Sequence, residues 1–173
     1  MKLICGDCAN ILDMIPDASV DGVVTDPPFG INFKYDLHKD SDRGYIDWLW
    51  PIIEKCERKC RPGSPMFVWQ ATPNIKKLVE WFPRDWRMFI SAKNFVQIRK
   101  IIMQYSYDPI LAWWIPGEKP YSAEKLSRDF FVSNTSPSAF TGINKAWGHP
   151  CPRPLDVCKR IVEEWIRPGG TVL

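Results

Sequence analysis

One stretch restricts the fold of this 173-residue chain more than any other: the β-branched run Val23-Val24-Thr25 stops on Asp26-Pro27-Pro28-Phe29. Proline has no N–H to give a sheet ladder and fixes its own backbone, so a strand must end before Pro27. An acid and an aromatic ring are thereby held on a stiff turn at the strand's carboxyl end. In open α/β sheets ligands bind along that edge, which makes the turn the candidate active site.

The flanking segments alternate between strand and helix patterns. Lys2 to Cys5 reads as a short buried strand, and Gly6-Asp7 ends it where a helical pattern begins at Cys8, with Asp7 as N-cap. Val20 to Thr25 reads as a second buried strand. Two strands joined through a helix imply a parallel sheet with a right-handed crossover, placing Asp7 and Asp26 along one edge. Gly30 to Asp47 reads as a polar surface loop. Trp48 to Cys60 is amphipathic and ends at Arg61-Pro62-Gly63. Met66 to Trp69 then predicts a strand, Pro73 to Phe82 a helix, Trp86 to Ala92 a strand and Tyr107 to Ile115 another. Pro154 to Ile166 is the clearest helix, with Leu155, Cys158, Ile161, Val162, Trp165 and Ile166 on one face. Thr171-Val172-Leu173 opens a further strand. The chain therefore predicts one α/β domain over residues 1–173, in which 116–148 form an irregular region without a countable period, of the kind that is usually functional or mobile.

Composition narrows the partners only slightly. A net charge of +3 permits nucleic acid without demanding it. Nine Trp and nine Phe suit base stacking, though a core uses the same residues. Lys93, Arg99 and Lys100, interleaved with Phe95, Val96, Ile98, Ile101 and Ile102, fit either a nucleic-acid face or a solvated strand edge. No secretory signal and no membrane-length apolar run is visible, so a cytoplasmic protein with reduced thiols is expected. Cys5-x-x-Cys8 with Cys56-x-x-x-Cys60 has zinc-like spacing, but Cys5 reads as a strand end and Cys56 and Cys60 share an apolar helix face, so no metal is assigned.

The Asp-Pro-Pro-Phe stop resembles the catalytic signature of the amino-directed DNA methyltransferases, which methylate the exocyclic nitrogen of adenine or cytosine. Lys2 to Cys8 and Ser19 to Thr25 lead into it as in the permuted subgroup, where the catalytic half precedes the cofactor half. His149-Pro150-x-x-Arg153-Pro154-Leu155 is similar to that subgroup's later His-Pro-x-x-Lys-Pro element, with Cys151-Pro152-Arg153 where Thr-Gln-Lys is more usual. The resemblance implies a Rossmann-like sheet, S-adenosylmethionine as cofactor, double-stranded DNA as partner, and a place in restriction–modification. Asp7, Cys8, Asp26, His149 and Arg153 would contact the cofactor, with its adenine by Asp7 and Cys8 and its amino-acid end near Arg153. Adenine is the preferred target, because cytosine-directed relatives more often carry Ser in place of Asp26. The irregular region would face the DNA.

Chemistry accounts for the same residue types independently. An aromatic amine is a poor nucleophile because its lone pair is delocalised into the ring. Two acceptors on its N–H groups localise that pair. Asp26 and the Pro27 carbonyl are assigned as those acceptors, Phe29 as the stacking ring, and the prolines, Pro28 included, as the brace that keeps them in register. The base must leave its duplex to arrive there. Pro150-Cys151 also admits a cytosine-carbon reading with Cys151 as nucleophile, but it leaves Asp-Pro-Pro-Phe unexplained.

One family element is missing. No Gly-x-Gly turn occurs anywhere, and Pro168 to Leu173 matches only the lead-in to that cofactor loop. The expectation is therefore an incomplete sheet in a truncated methyltransferase. The alternative is a catalytically silent remnant or DNA-binding module.

Overall fold

The computed structural model describes residues 2–32, 40–41, 43–81, 85–94, 102–103, 105–123, 127–133 and 152–173. Its centre is a five-stranded sheet in the order β1-β2-β4-β3-β5, formed by β1 (Val23–Thr25), β2 (Pro65–Trp69), β3 (Arg87–Lys93), β4 (Tyr107–Trp114) and β5 (Phe130–Ser133). The helices among the described residues are α1 (Cys8–Ile11), α2 (Tyr45–Lys59), α3 (Ile75–Trp81) and α4 (Leu155–Trp165).

The side-chain alternation of the strands divides the core in two. Met66, Val68, Leu111 and Trp113 point to one face and pack with Leu49, Ile53 and Cys56 of α2. Phe67, Trp69, Ile110 and Ala112 point to the other and meet Val157 and Ile161, one turn apart on α4. With both faces covered, β2 is buried along its whole length. This is why it reads as a continuous apolar run rather than an alternating one.

The structure corrects three expectations. The sheet is mixed rather than parallel: β1 and β3 run parallel to β2 and β5 respectively, while β4 lies antiparallel between β2 and β3. The crossover through α3 skips one position, and β4 fills it by reversing direction after β3. The irregular region also contains a strand, β5, whose Phe131 and Ser133 are buried while Phe130 and Val132 are exposed. Four residues are too few to establish a period against their polar surroundings.

The third correction concerns the amino-terminal segment. Lys2 to Cys5 are exposed and are not assigned to a strand, so the expected strand–helix–strand unit is absent and Cys5 is not buried. Instead β1 is flanked by the chain's last residues. The Val24 N–H donates to the Leu173 carbonyl at 2.8 Å, and the Leu173 N–H to the Gly22 carbonyl at 3.0 Å. A parallel bridge joins Gly22 to Val172, as expected for a strand opening at Thr171. A short apolar run forms a strand only if a neighbour supplies its ladder, and such a neighbour is not legible locally.

Asp21 fastens this carboxyl-terminal segment. Its Oδ2 accepts the Thr171 N–H at 2.8 Å, and its Oδ1 meets Arg61 at 2.7 Å. Burial alone would raise its pKa, but the Thr171 N–H and the Arg61 guanidinium outweigh it and hold the carboxyl below the usual range. The resulting stability is present above the unfolded value and lost as pH falls through the depressed one. Asp21→Ala is expected to speed amide exchange at Leu173 roughly two- to tenfold, the effect of one lost hydrogen bond. Unchanged exchange would show that Asp21 does not hold the segment.

Candidate active site at the carboxyl end of the first strand

The Asp-Pro-Pro-Phe turn leaves β1 at an edge where the ends of β1, β2 and β3 meet the start of the antiparallel β4. Side chains from elsewhere in the chain fasten the turn. Asn74, buried in a 3-10 turn at Thr72–Asn74, donates from Nδ2 to the Phe29 carbonyl at 2.5 Å. The buried Asp40 carboxylate accepts the Gly30 N–H at 2.6 Å and the Ile31 N–H at 3.0 Å. Gly30 has φ of +63°, and a Cβ there would lie 2.5 Å from the Tyr45 ring. Tyr45 in turn donates its hydroxyl to the Gln70 Oε1 at 3.0 Å, just past the end of β2.

An ionic chain runs across the same edge. Arg153, immediately before α4, donates from Nε to the Asp26 Oδ2 at 2.7 Å and from Nη1 to the Asp108 Oδ2 at 2.7 Å. The other Asp108 oxygen meets Lys93 at 2.7 Å. The guanidinium carbon of Arg153 lies 4.9 Å from the centre of the Phe29 ring. Phe29 itself packs against the α4 side of the core. Four elements far apart in sequence thus converge on the acid and the ring.

The structure brings Asp26, Pro27, Pro28, Phe29 and Arg153 together. Asp7 caps α1, accepting the Ala9 N–H at 2.9 Å, and Cys8 is the first residue of that helix. Lys55 fastens α1 to α2 through the Ala9 carbonyl and Asp13. His149 and Cys151 lie outside the described residues, as do Arg99 and Lys100. Sequence reasoning missed Asp40, Asn74 and Asp108. Nothing local separates Asp40 from the other acids of its loop, and the glycine directly after the aromatic, which the structure puts at a φ of +63°, reads in the sequence only as the start of a polar surface loop.

The described thiols range from buried to exposed. Burial pushes Cys56 up to about 11 and Cys60 up to about 12, whereas Cys5 is exposed. Among the described residues no three His, Cys, Asp or Glu side chains are grouped to hold a metal. Both buried groups are held in the thiol form, so iodoacetamide is expected to label Cys5 and spare Cys56 and Cys60. Peptide mapping by mass reads this directly, and rapid labelling of Cys60 in the folded protein would contradict the burial.

A mixed five-stranded sheet with helices packed on it, and a strand end bearing an acid, two prolines and an aromatic, place the chain among the α/β proteins. Comparison gives the class its family. A family model described as DNA methylase, of the N6/N4 type, matches residues 20–173, and the chain belongs to that family. Among curated relatives, the type II methyltransferase M.BamHI of Bacillus amyloliquefaciens is 31% identical over 126 residues, 69% of this chain and 29% of the relative. M.BglII of Bacillus subtilis is 40% identical over 89 residues, covering 51% and 24% of the two chains. The DNA adenine methyltransferase YhdJ of Escherichia coli is 32% identical over 75 residues, covering 42% and 26%. The chain thus spans less than a third of these relatives' lengths. Among solved structures, the cytosine-N4-specific PvuII DNA methyltransferase has a TM-score of 0.67 at 15% identity, covering 96% of this chain and 71% of that one. The M1.HpyAVI–SAM complex has a TM-score of 0.60 at 16% identity, covering 96% and 78%. These likenesses show a Rossmann-like methyltransferase fold.

Proposed function

We propose that the chain carries the catalytic part of an S-adenosylmethionine-dependent DNA methyltransferase that acts in the cytoplasm on the exocyclic amine of a flipped base, adenine in preference to cytosine. The observation that carries this reading is the Asp26 to Phe29 turn, fastened at the sheet edge by Asn74 and Asp40. Family membership and the SAM complex of M1.HpyAVI support it. The preference for adenine rests on the identity of Asp26.

In this mechanism Asp26 and the Pro27 carbonyl accept the two N–H bonds of the target amine and return lone-pair density to its nitrogen. Phe29 stacks on the base and offsets part of the few kcal/mol of unstacking that flipping costs. As the new N–C bond forms, the methyl group's bond to the donor sulfur would break with its electron pair left on sulfur, and the nitrogen's surplus proton is assigned to the Asp26 carboxylate. Fixed geometry lowers the barrier further, because Asn74 and Asp40 hold the backbone of the turn in place before a base arrives.

When bound, S-adenosylmethionine supplies an electrophilic methyl group. By the family resemblance, the Asp7 carboxylate and Cys8 backbone, Asp26, His149 and Arg153 would hold its polar ends, and among the described ones the carboxylates and the guanidinium suit an ammonium, hydroxyls and a carboxylate.

Labelled donor, duplex DNA and the protein, followed by digestion to nucleosides, test the proposal. N6-methyladenine is the expected product. Label in N4-methylcytosine would overturn the adenine preference, and label in protein alone would overturn the DNA reading. Duplex binding without label transfer to any base would overturn the enzyme reading for this chain.

A further inference from the structure

We propose that Arg153 closes the base seat by occupying it, and that a target base enters by displacing its guanidinium from Asp26 while Asp108 retains it. The inference rests on the reading of Asp26 and Phe29 as the base seat. A guanidinium is planar and presents N–H groups at its edge, so it uses the contacts an aminopurine would need. Its Nε–H meets Asp26 at 2.7 Å, and its carbon lies 4.9 Å from the centre of the Phe29 ring. A base stacked there and bonded to Asp26 requires the same space. Phe29 is already packed on its core side, against the cluster that includes Phe67 and Val157.

The second carboxylate makes displacement feasible. Expelling a partly buried cation from its only partner would strand a charge, which is costly. Arg153 is held at two places, by Asp26 through Nε and by Asp108 through Nη1, and Asp108 is itself fixed by Lys93 at 2.7 Å. Leaving Asp26 therefore keeps one charged contact intact. The consequence is selectivity, because a ligand must both stack and donate N–H groups to compete with the guanidinium. Groups that do only one of these are turned away.

A seat closed most of the time binds its ligand more weakly by the fraction open. The readout is the ratio of affinities for two single-stranded oligonucleotides, one with a single adenine and one abasic at that position, which cancels the backbone's attraction to a cation. Arg153→Ala is expected to raise this ratio roughly tenfold. Arg153→Lys is expected to fall between, because lysine pairs with Asp26 but does not stack as a plane. Independently, the Arg153 Nε–H resonance of the unmodified protein is expected to shift when the adenine oligonucleotide saturates it.

A ratio lowered by Arg153→Ala would make Arg153 part of the seat rather than its occupant, and would overturn the proposal. So would an Nε–H signal unmoved at saturation, or a ratio of one in both proteins. The methyltransferase reading is tested separately by label transfer. Absence of transfer with a raised ratio would refute the enzyme and leave the closure standing.

Discussion

Asp26→Ala is expected to cut methyl transfer to DNA by about 10²–10³-fold, the usual effect of removing one preorganised polar group from a reacting centre. The carboxylate is assigned two tasks, localising the amine's lone pair and receiving its proton, and alanine performs neither. The turn should survive the change, because its fastenings are the Asn74 bond to the Phe29 carbonyl and the Asp40 bonds to the Gly30 and Ile31 amides. Arg153 keeps its contact with Asp108. Single-turnover transfer from labelled donor measures the loss, and calorimetric titration with S-adenosylmethionine measures binding. Transfer should fall much further than cofactor affinity. Equal losses in both would reassign Asp26 from the amine to the cofactor.

Gly30→Ala is expected to have the largest effect on folding, about 2–4 kcal/mol of lost stability. Two costs add. The left-handed φ of +63° disfavours any residue with a Cβ, and that Cβ would lie 2.5 Å from the Tyr45 ring. The ring cannot easily retreat, since Tyr45 is buried and its hydroxyl is bonded to Gln70, which is fully buried. Urea denaturation reads the loss as a lowered midpoint with unchanged slope. Because Gly30 carries the amide that Asp40 accepts at 2.6 Å, the variant should also displace the Asp26 to Phe29 turn. A midpoint within error of the parent's would show that the close approach between Gly30 and Tyr45 is not real.

How far the site could be read in advance differs by residue. Asp26-Pro27-Pro28-Phe29 was legible because proline acts locally: it ends a strand wherever it stands, whatever surrounds it. The helix at Leu155–Trp165 was legible for a similar reason, its apolar residues recurring at the helical period. Asp40 and Asn74 were not, since each reaches backbone atoms of the turn from 9 to 10 and 45 residues away in the chain. Arg153 was legible as a family element but not as the partner of Asp26, 127 residues distant. The misplaced strand at Lys2 to Cys5 teaches the same lesson, because its residues had strand composition and no ladder to join.

What the sequence determined by itself was the chain's punctuation and periodicity: where strands must stop, which helices have one apolar face, and that an acid and an aromatic ring share a rigid turn. Those follow from covalent geometry and local sterics, which each residue carries with it. Tertiary structure alone decided that β4 reverses direction inside the sheet, that Thr171–Leu173 rather than Lys2–Cys5 flanks β1, and that Arg153 lies over Phe29 with Asp26 and Asp108 in its grasp. Ladder bonds and ion pairs need two partners within about 3 Å, and which partners meet is set by packing the whole chain at once.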